Sequence, residues 1–484
     1  MSSLPVSVLV AALVFTGGMV LFTEHAKAPF YYHQDEPGKV LQVIHRRKNF
    51  HHPLLMLSTA EVARKALLHG GAEDDPQRVV EMARTIMAVF AAASSALLAL
   101  VAPRLLGLAA GLAVGLLTVT NPLHYELAHY FKEDPAFLFG IVSCALATHF
   151  YWTRRSARSI WVLGVAAGVA DPRGERFRRA GKVVGGALLT WLILNYRAVR
   201  SPVRFYQGLT EETGKALLGN HGMVNEAPHA YYFSVQADYG GWWMPALAAL
   251  WLAFAVFRPR KVSTVEWFLA AVAVIAMVAF SFTPKTSTRY YLPIAVSLCF
   301  LAAMGAFRWA SLAPARARIA ANAVAALLCI GAAYGQWGTT QAFREGLQKD
   351  DRAELLREVA ALPATAIIVQ DQAAGLPEPE RLWYHEGRTP LPQKVIGAKQ
   401  ACDLGTLAEL RAQGVTHLAL NAKTYGRYFK PGLIIKDEGA VAAKRAFYQT
   451  ALEKGRVLHE WKLGRVRHYQ PGLALVDITG LELP

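Results

Sequence analysis

Two adjacent carboxylates, Asp35 and Glu36 in "HQDEP" (33–37), stand just beyond the first long apolar run of the chain. A second polar group, "HYELAHYFKED" (124–134), precedes another apolar run and carries His129, Lys132, Glu133 and Asp134. A third, "PKTSTRYYLP" (284–293), brings Lys285 and Arg289 to the start of a late apolar run. Carboxylates beside cations at a membrane edge suit chemistry on a charged, lipid-borne substrate. A carboxylate can take the proton of an attacking hydroxyl, and Lys or Arg can hold a departing phosphate. A sugar carried on a polyprenyl phosphate needs both, because its tail lies in the bilayer, its phosphate at headgroup level and its anomeric carbon just outside. Asp35 is the candidate base, with Glu36 beside it. Lys132, Lys285 and Arg289 are candidate phosphate holders, and His129 and Asp134 supporting residues.

Structural roles compete with each of these. Glu36 and Pro37 suit the first turn of a helix, Asp134 before Pro135 has the signature of a helix cap, and Lys132 can snorkel to headgroups. His33, His51 and His52 lie near the acidic pair, but no two of them have a helix-compatible HxxxH spacing, so we expect no metal. No cofactor motif is present.

The elements that must position these residues are membrane spans. Of 484 residues, 54% are hydrophobic and 18% charged, and a helix needs about 20 apolar residues to cross a hydrocarbon core of about 30 Å. Runs at 5–23, 79–101, 105–120, 135–152, 183–199, 241–257, 264–283, 289–307 and 316–335 qualify, which gives about nine full spans. The net charge of +16 gathers in short loops, among them Arg154, Arg155 and Arg158, then Arg258, Arg260 and Lys261, then Arg308, Arg316 and Arg318. Such loops belong in the cytoplasm, and that placement leaves nothing for nucleic-acid binding to explain. Counting from a cytoplasmic N-terminus with a retained first span, loops 24–78, 121–134 and 200–240 face outward together with Lys285 and Arg289. The four cysteines are scattered without CxxC spacing and imply neither disulfides nor zinc. "PLLMLSTAEVARKALLHG" (53–70) reads as an interfacial helix with Leu54, Leu55, Leu57, Val62 and Leu67 toward lipid. Paired tyrosines at 31–32, 231–232 and 290–291, and Trp242 with Trp243, read mainly as interface-belt residues.

Residues 160–170 form an apolar run that rises only about 16 Å, half a bilayer. Beyond about residue 339 charged residues become frequent and apolar runs shrink to strand length. Stretches 365–372, 416–422, 456–463 and 473–479 read as strands, alternating with helical patterns at 351–362 and 440–455. The reading is a polytopic α-helical membrane domain (1–338) followed by a small α/β domain (339–484).

The order of a "DE" pair after the first span, "NPLHYELAHYFKEDP" before the fourth and "STRYYLP" opening a late span resembles the polyprenyl-phosphate-dependent GT-C glycosyltransferases. More narrowly, it is similar to the protein mannosyltransferase and aminoarabinose transferase group, over roughly residues 1–335. The resemblance implies a catalytic acid in the first outer loop, matched here by Asp35. It also implies an inverting transfer of a sugar from a polyprenyl-phosphate donor to a glycan, lipid or protein acceptor. The setting would be a bacterial inner membrane, with the site and the C-terminal domain outside. Members of that group continue past a "GVAAG"-like helix into an outward lysine-containing turn and a further span, whereas here "GVAAGVA" runs directly into "DPRGERFRRAGK". Two other readings stay open: a transporter or flippase of a lipid-linked glycan, and a non-catalytic relative that binds polyprenyl lipid. A transporter calls for ionisable groups within spans and matched discontinuous helices. Here the convergent charges lie at span edges and no repeat is evident.

Overall fold

The computed structural model of the chain describes residues 4–29, 33, 35–45, 54–154, 200–218, 228–283, 286–372, 374–378, 391–431, 433, 437–464, 466 and 470–481. They fall into two compact units. One is drawn from Met1–Lys27, Lys39–Leu217 and Ala227–Thr340, the other from Ala28–Gly38, Leu218–Glu226 and Gln341–Pro484.

The first unit is helical. Helix α1 (Leu4–Phe22) is followed by α2 (Glu36–Ile44), α3 (Leu54–Leu67), α4 (Pro76–Leu106), α5 (Leu108–Val119), α6 (Pro122–Ala128) and α7 (Asp134–Arg154). After these come α8 (Pro202–Leu218), α9 (Pro228–Tyr239), α10 (Trp243–Phe257), α11 (Thr264–Ser281), α12 (Leu292–Ala310) and α13 (Arg318–Gln348). Local chemistry sets the ends. Asp75 accepts from the amides of Gln77 and Arg78 to cap α4, with Pro76 in its first turn. Ser263 and Glu266 form a reciprocal capping box on α11.

Six helices among the described residues are long and apolar enough to cross a membrane, and the pair α9 and α10, bent by 107°, makes a seventh if taken as one span. The chain is a multi-pass membrane protein. Nine spans are not all visible. The run expected at 105–120 is the 12-residue α5, which rises only about 18 Å. It is shortened because the chain breaks from α4 at Gly107, whose φ of 94° suits glycine, and because α6 begins directly after Asn121. The expected span 183–199, the apolar run 160–170 and most of the basic loops beside them lie outside the described residues. The segment 200–240, expected as a loop, contains α8 and α9. Helix α8 leaves Val203, Tyr206 and Leu209 exposed on one side, an amphipathic pattern too short to register as a span.

Helix α12 is the centre of the bundle, buried on nearly every side, as a helix apolar all round must be. Gly305 lets it touch α10 backbone to backbone, because a Cβ there would sit 2.6 Å from the Leu247 carbonyl oxygen and 2.7 Å from the Trp251 nitrogen. At the C-terminal end of α12, Arg308 donates through Nη2 to Glu266 Oε2 (2.5 Å) and through Nε to Glu266 Oε1 (3.1 Å), which also accepts from Trp251 Nε1 (3.0 Å). Farther along, Asn121 Nδ2 and Gln336 Nε2 both donate to Cys299 Sγ at 3.7 Å, and Thr340 Oγ1 donates to the Thr120 carbonyl (2.8 Å). These bonds fasten the start of α6 to α12 and α13.

Two sequence readings are corrected here. Leu57 on α3 is fully buried with Met56 and Ala60, whereas Val62 and Leu67 of the assigned lipid face are exposed. Tyr232 and Tyr291 are buried core residues with stacked rings 6.2 Å apart, whereas Trp242 and Trp243 are exposed.

The second unit holds α14 (Asp351–Ala360), β1 (Ile367–Asp371), β2 (Lys394–Ala398), α15 (Leu407–Ala412), β3 (His417–Asn421), α16 (Glu438–Lys454), β4 (Arg456–Leu463) and β5 (Pro471–Asp477). The sheet order is β2-β1-β3-β5-β4, parallel for β1 with β2 and β3 and antiparallel for β5 with its neighbours. Strand β2 went unseen in the sequence because it is five residues long and only one of them, Val395, is buried. Asp371, wholly buried, accepts from the Ala401 and Asn421 amides and from Tyr448 Oη, joining β1 to the segment after β2, to β3 and to α16.

Candidate functional site

The polar residues of the first unit converge where α2, the α6–α7 turn and the entry to α12 meet. The turn itself is made by chain chemistry: Asn121 caps α6 through His124 N (3.1 Å), and Lys132 N bonds back to the Tyr130 carbonyl (2.7 Å). Phe137 N donates to the Glu133 carbonyl (2.9 Å), so Glu133 occupies the cap position of α7 by its backbone. Asp134, read as the cap, instead opens the helix, where the dipole favours a carboxylate.

With its backbone at the cap, Glu133 turns its carboxylate to two cations. Oε2 meets Lys39 Nζ at 2.8 Å and Oε1 meets Arg289 Nη1 at 2.8 Å. Lys39, on α2, has no exposed side-chain surface and also donates to the Phe131 carbonyl (3.3 Å). Arg289 is 23% exposed and Glu133 17%. Arg289 comes from a short 3-10 turn (Thr288–Tyr291) leading into α12, and its guanidinium lies 5.3 Å from the Tyr290 ring centre. Tyr290 stacks on Phe280 (5.1 Å), and Tyr291 Oη donates to Gln236 Oε1 (2.5 Å). Just after Arg289 the turn is thus held through Tyr290 by α11 and through Tyr291 by α9. Lys132, Lys39, Arg289 and Glu133 all act electrostatically on Asp134.

His129 does not join this group. Fully buried, it bonds through Nδ1 to the Tyr125 carbonyl (2.6 Å) and packs on the Tyr125 ring at 4.3 Å. Burial lowers its pKa to about 4, so the ring is neutral near pH 7. His124 is likewise pushed down to about 4. Both rings are buried, His124 on α6 and His129 at its C-terminal end.

The acidic pair, at the edge of the second unit, splits. Asp35 is exposed, and its amide donates to His33 Nδ1 (3.2 Å). Glu36 opens α2 with its side chain fully buried. Lys285 lies outside the described residues. Lys39 and the bridging use of Glu133 were missed in the sequence. Both were visible only as charges, since nothing local reveals a contact across 94 positions.

No protein-family model and no curated protein matches the sequence. Among solved structures, the chain is similar to the crystal structure of ArnT from Cupriavidus metallidurans bound to undecaprenyl phosphate. The likeness has a TM-score of 0.50 at 14% identity and covers 100% of both chains. The apo form of the same protein gives 0.51 at 13% identity, over 97% of each chain. The chain has the GT-C fold. Within it Glu133 and Arg289 stand at the starts of α7 and α12, at span ends rather than mid-span.

Proposed function

We propose that the protein is a membrane glycosyltransferase that moves a sugar from a polyprenyl-phosphate donor to an acceptor at the outer face of a bacterial inner membrane. The observation that carries this reading is Arg289, a partly exposed guanidinium at the entry to α12 of a GT-C helical domain. Arg289 and Lys132 hold the donor phosphate as it departs, and Lys285 is placed with them from sequence. Guanidinium and ammonium donors gain strength at a leaving phosphate in a partly dry site. Asp35, exposed at the entry to α2, takes the proton of the acceptor hydroxyl, and direct attack inverts the anomeric centre. Glu36 anchors the helix start. Undecaprenyl phosphate bound to ArnT supports the donor class, and the positive-inside charge pattern supports the outward placement of the site and of the α/β domain.

The test is Asp35→Asn. Transfer from a polyprenyl-phosphate sugar should be abolished, while membrane insertion and thermal unfolding stay as in the parent. Full transfer in that variant would remove Asp35 as base.

A further inference from the structure

Gln236, in the last turn of α9, is buried, and both ends of its amide are bonded. Nε2 donates to the Gly241 carbonyl at 2.6 Å, across the corner where α9 bends by 107° into α10. The corner is shaped around this side chain: Gly241 has a φ of 57°, and a Cβ on Gly240 would sit 2.5 Å from Gln236 Nε2. With its nitrogen fixed in this way, the amide offers Oε1 to Tyr291 Oη, which donates to it at 2.5 Å. Tyr291 closes the short 3-10 turn that carries Arg289, and its buried ring stacks on Tyr232. Gln236 and Tyr291 also line an apolar cavity of about 330 Å³ together with Trp242, Val274 and Met277. Apolar packing is incomplete on that side of the turn, so the hydroxyl–amide bond carries more of the task of holding it.

We infer that Gln236 is a positioning residue for the phosphate site, holding through Tyr291 the turn that presents Arg289. This inference rests on the reading of Arg289 as a phosphate holder. A guanidinium binds phosphate through paired, directional N–H donors, and such a constellation loses affinity when its support lets it drift by about 0.5 Å. The Arg289 side chain is steadied by Glu133 and by the Tyr290 ring, but neither contact ties its backbone to α9. The Tyr291–Gln236 bond does, and it is directional where the apolar contacts around it are not. Gln236 thus acts through Tyr291 and not by contact with the anion. The ligand class is a lipid with a phosphate head, and the α9–α10 corner is the seat from which its cation is aimed.

The experiment measures undecaprenyl phosphate binding to the full-length protein in lipid nanodiscs by native mass spectrometry. Tyr291→Phe, which removes a single oxygen, should weaken binding about threefold to tenfold, the worth of one hydrogen bond, and Gln236→Leu should do the same. The paired variant Gln236→Leu, Tyr291→Phe removes both partners of the bond together, the change a buried site tolerates best. Its binding should be no weaker than that of the weaker single variant, because all three lack the same bond. In an Arg289→Ala background Tyr291→Phe should change binding by less than about twofold, whereas a general loosening of the helices would weaken it there as well. Parent-like binding by a folded Tyr291→Phe or by the paired variant overturns the inference, and so does an undiminished loss in the Arg289→Ala background. Arg289→Ala separates the two levels. If it binds undecaprenyl phosphate as the parent does, the phosphate assignment itself falls, and this inference with it; if it binds weakly while Tyr291→Phe binds as the parent does, only this inference falls.

Discussion

Glu133 meets two demands at once, since its backbone begins α7 while its side chain bridges cations from α2 and from the entry to α12. The cations it organises should govern the donor, not the acceptor. Arg289→Ala and Lys132→Ala are expected to raise the donor KM about tenfold with a smaller effect on the acceptor KM. Unchanged donor parameters in both variants would sink the phosphate assignment. Arg289 and Lys132 were legible in the sequence because each flanks an apolar run in a short outer segment. The partner of Arg289 was not, because charge pairing between distant segments depends on how helices pack. The same limit misplaced the cap of α7: Asp134 before Pro135 fits the local rule, but the ion bridge sets Glu133 at the helix entry one residue earlier.

At the scale of elements, position comes from a few internal bonds. Asn121 caps α6 and reaches Cys299 on α12, so Asn121→Ala should cost about 1–2 kcal/mol of stability, read as a lower midpoint of thermal unfolding. An unchanged midpoint would show that α6 is held elsewhere. In the sheet, burial raises the Asp371 pKa from 3.8 to about 6 despite its three donors. The folded state then binds the proton more tightly than the unfolded chain, so stability falls as pH rises from about 4 to about 6 and is level above. Hydrogen exchange of the β1 and β3 amides should slow as pH is lowered through that window, once intrinsic exchange rates are divided out. Asp371→Asn should abolish the trend, and a trend that persists in that variant would assign it to another group. Four of the five strands were legible as short apolar runs. Strand β2 was not, because its pairing with β1 supplies the order that its own residues do not signal.

For the whole molecule, the proposed orientation rests on charge. The basic loops between spans read as cytoplasmic, and the α/β domain as outside. A membrane-impermeant thiol reagent should label Arg260→Cys only from the cytoplasmic side and Glu453→Cys only from the outer side, relative to the unsubstituted chain. Both positions are exposed. Labelling of both from one side would overturn this topology, and an exchange of the two sides would reverse it. The helical membrane architecture and the α/β tail were readable from hydropathy and strand-length runs. Among the described residues the count of spans differs from that reading, because α5 is cut short at Gly107 and α9 turns sharply into α10.

Helix α12 begins beside Arg289, tied to Glu133, and ends at Arg308, tied to Glu266. Gly305 adds a direct seat against the α10 backbone near the lower end. A beam clamped at both ends neither slides nor turns about its axis without breaking an ion pair. Under the proposed function, a rearrangement that accompanies donor entry would then either leave α12 in place or break one of these ion pairs.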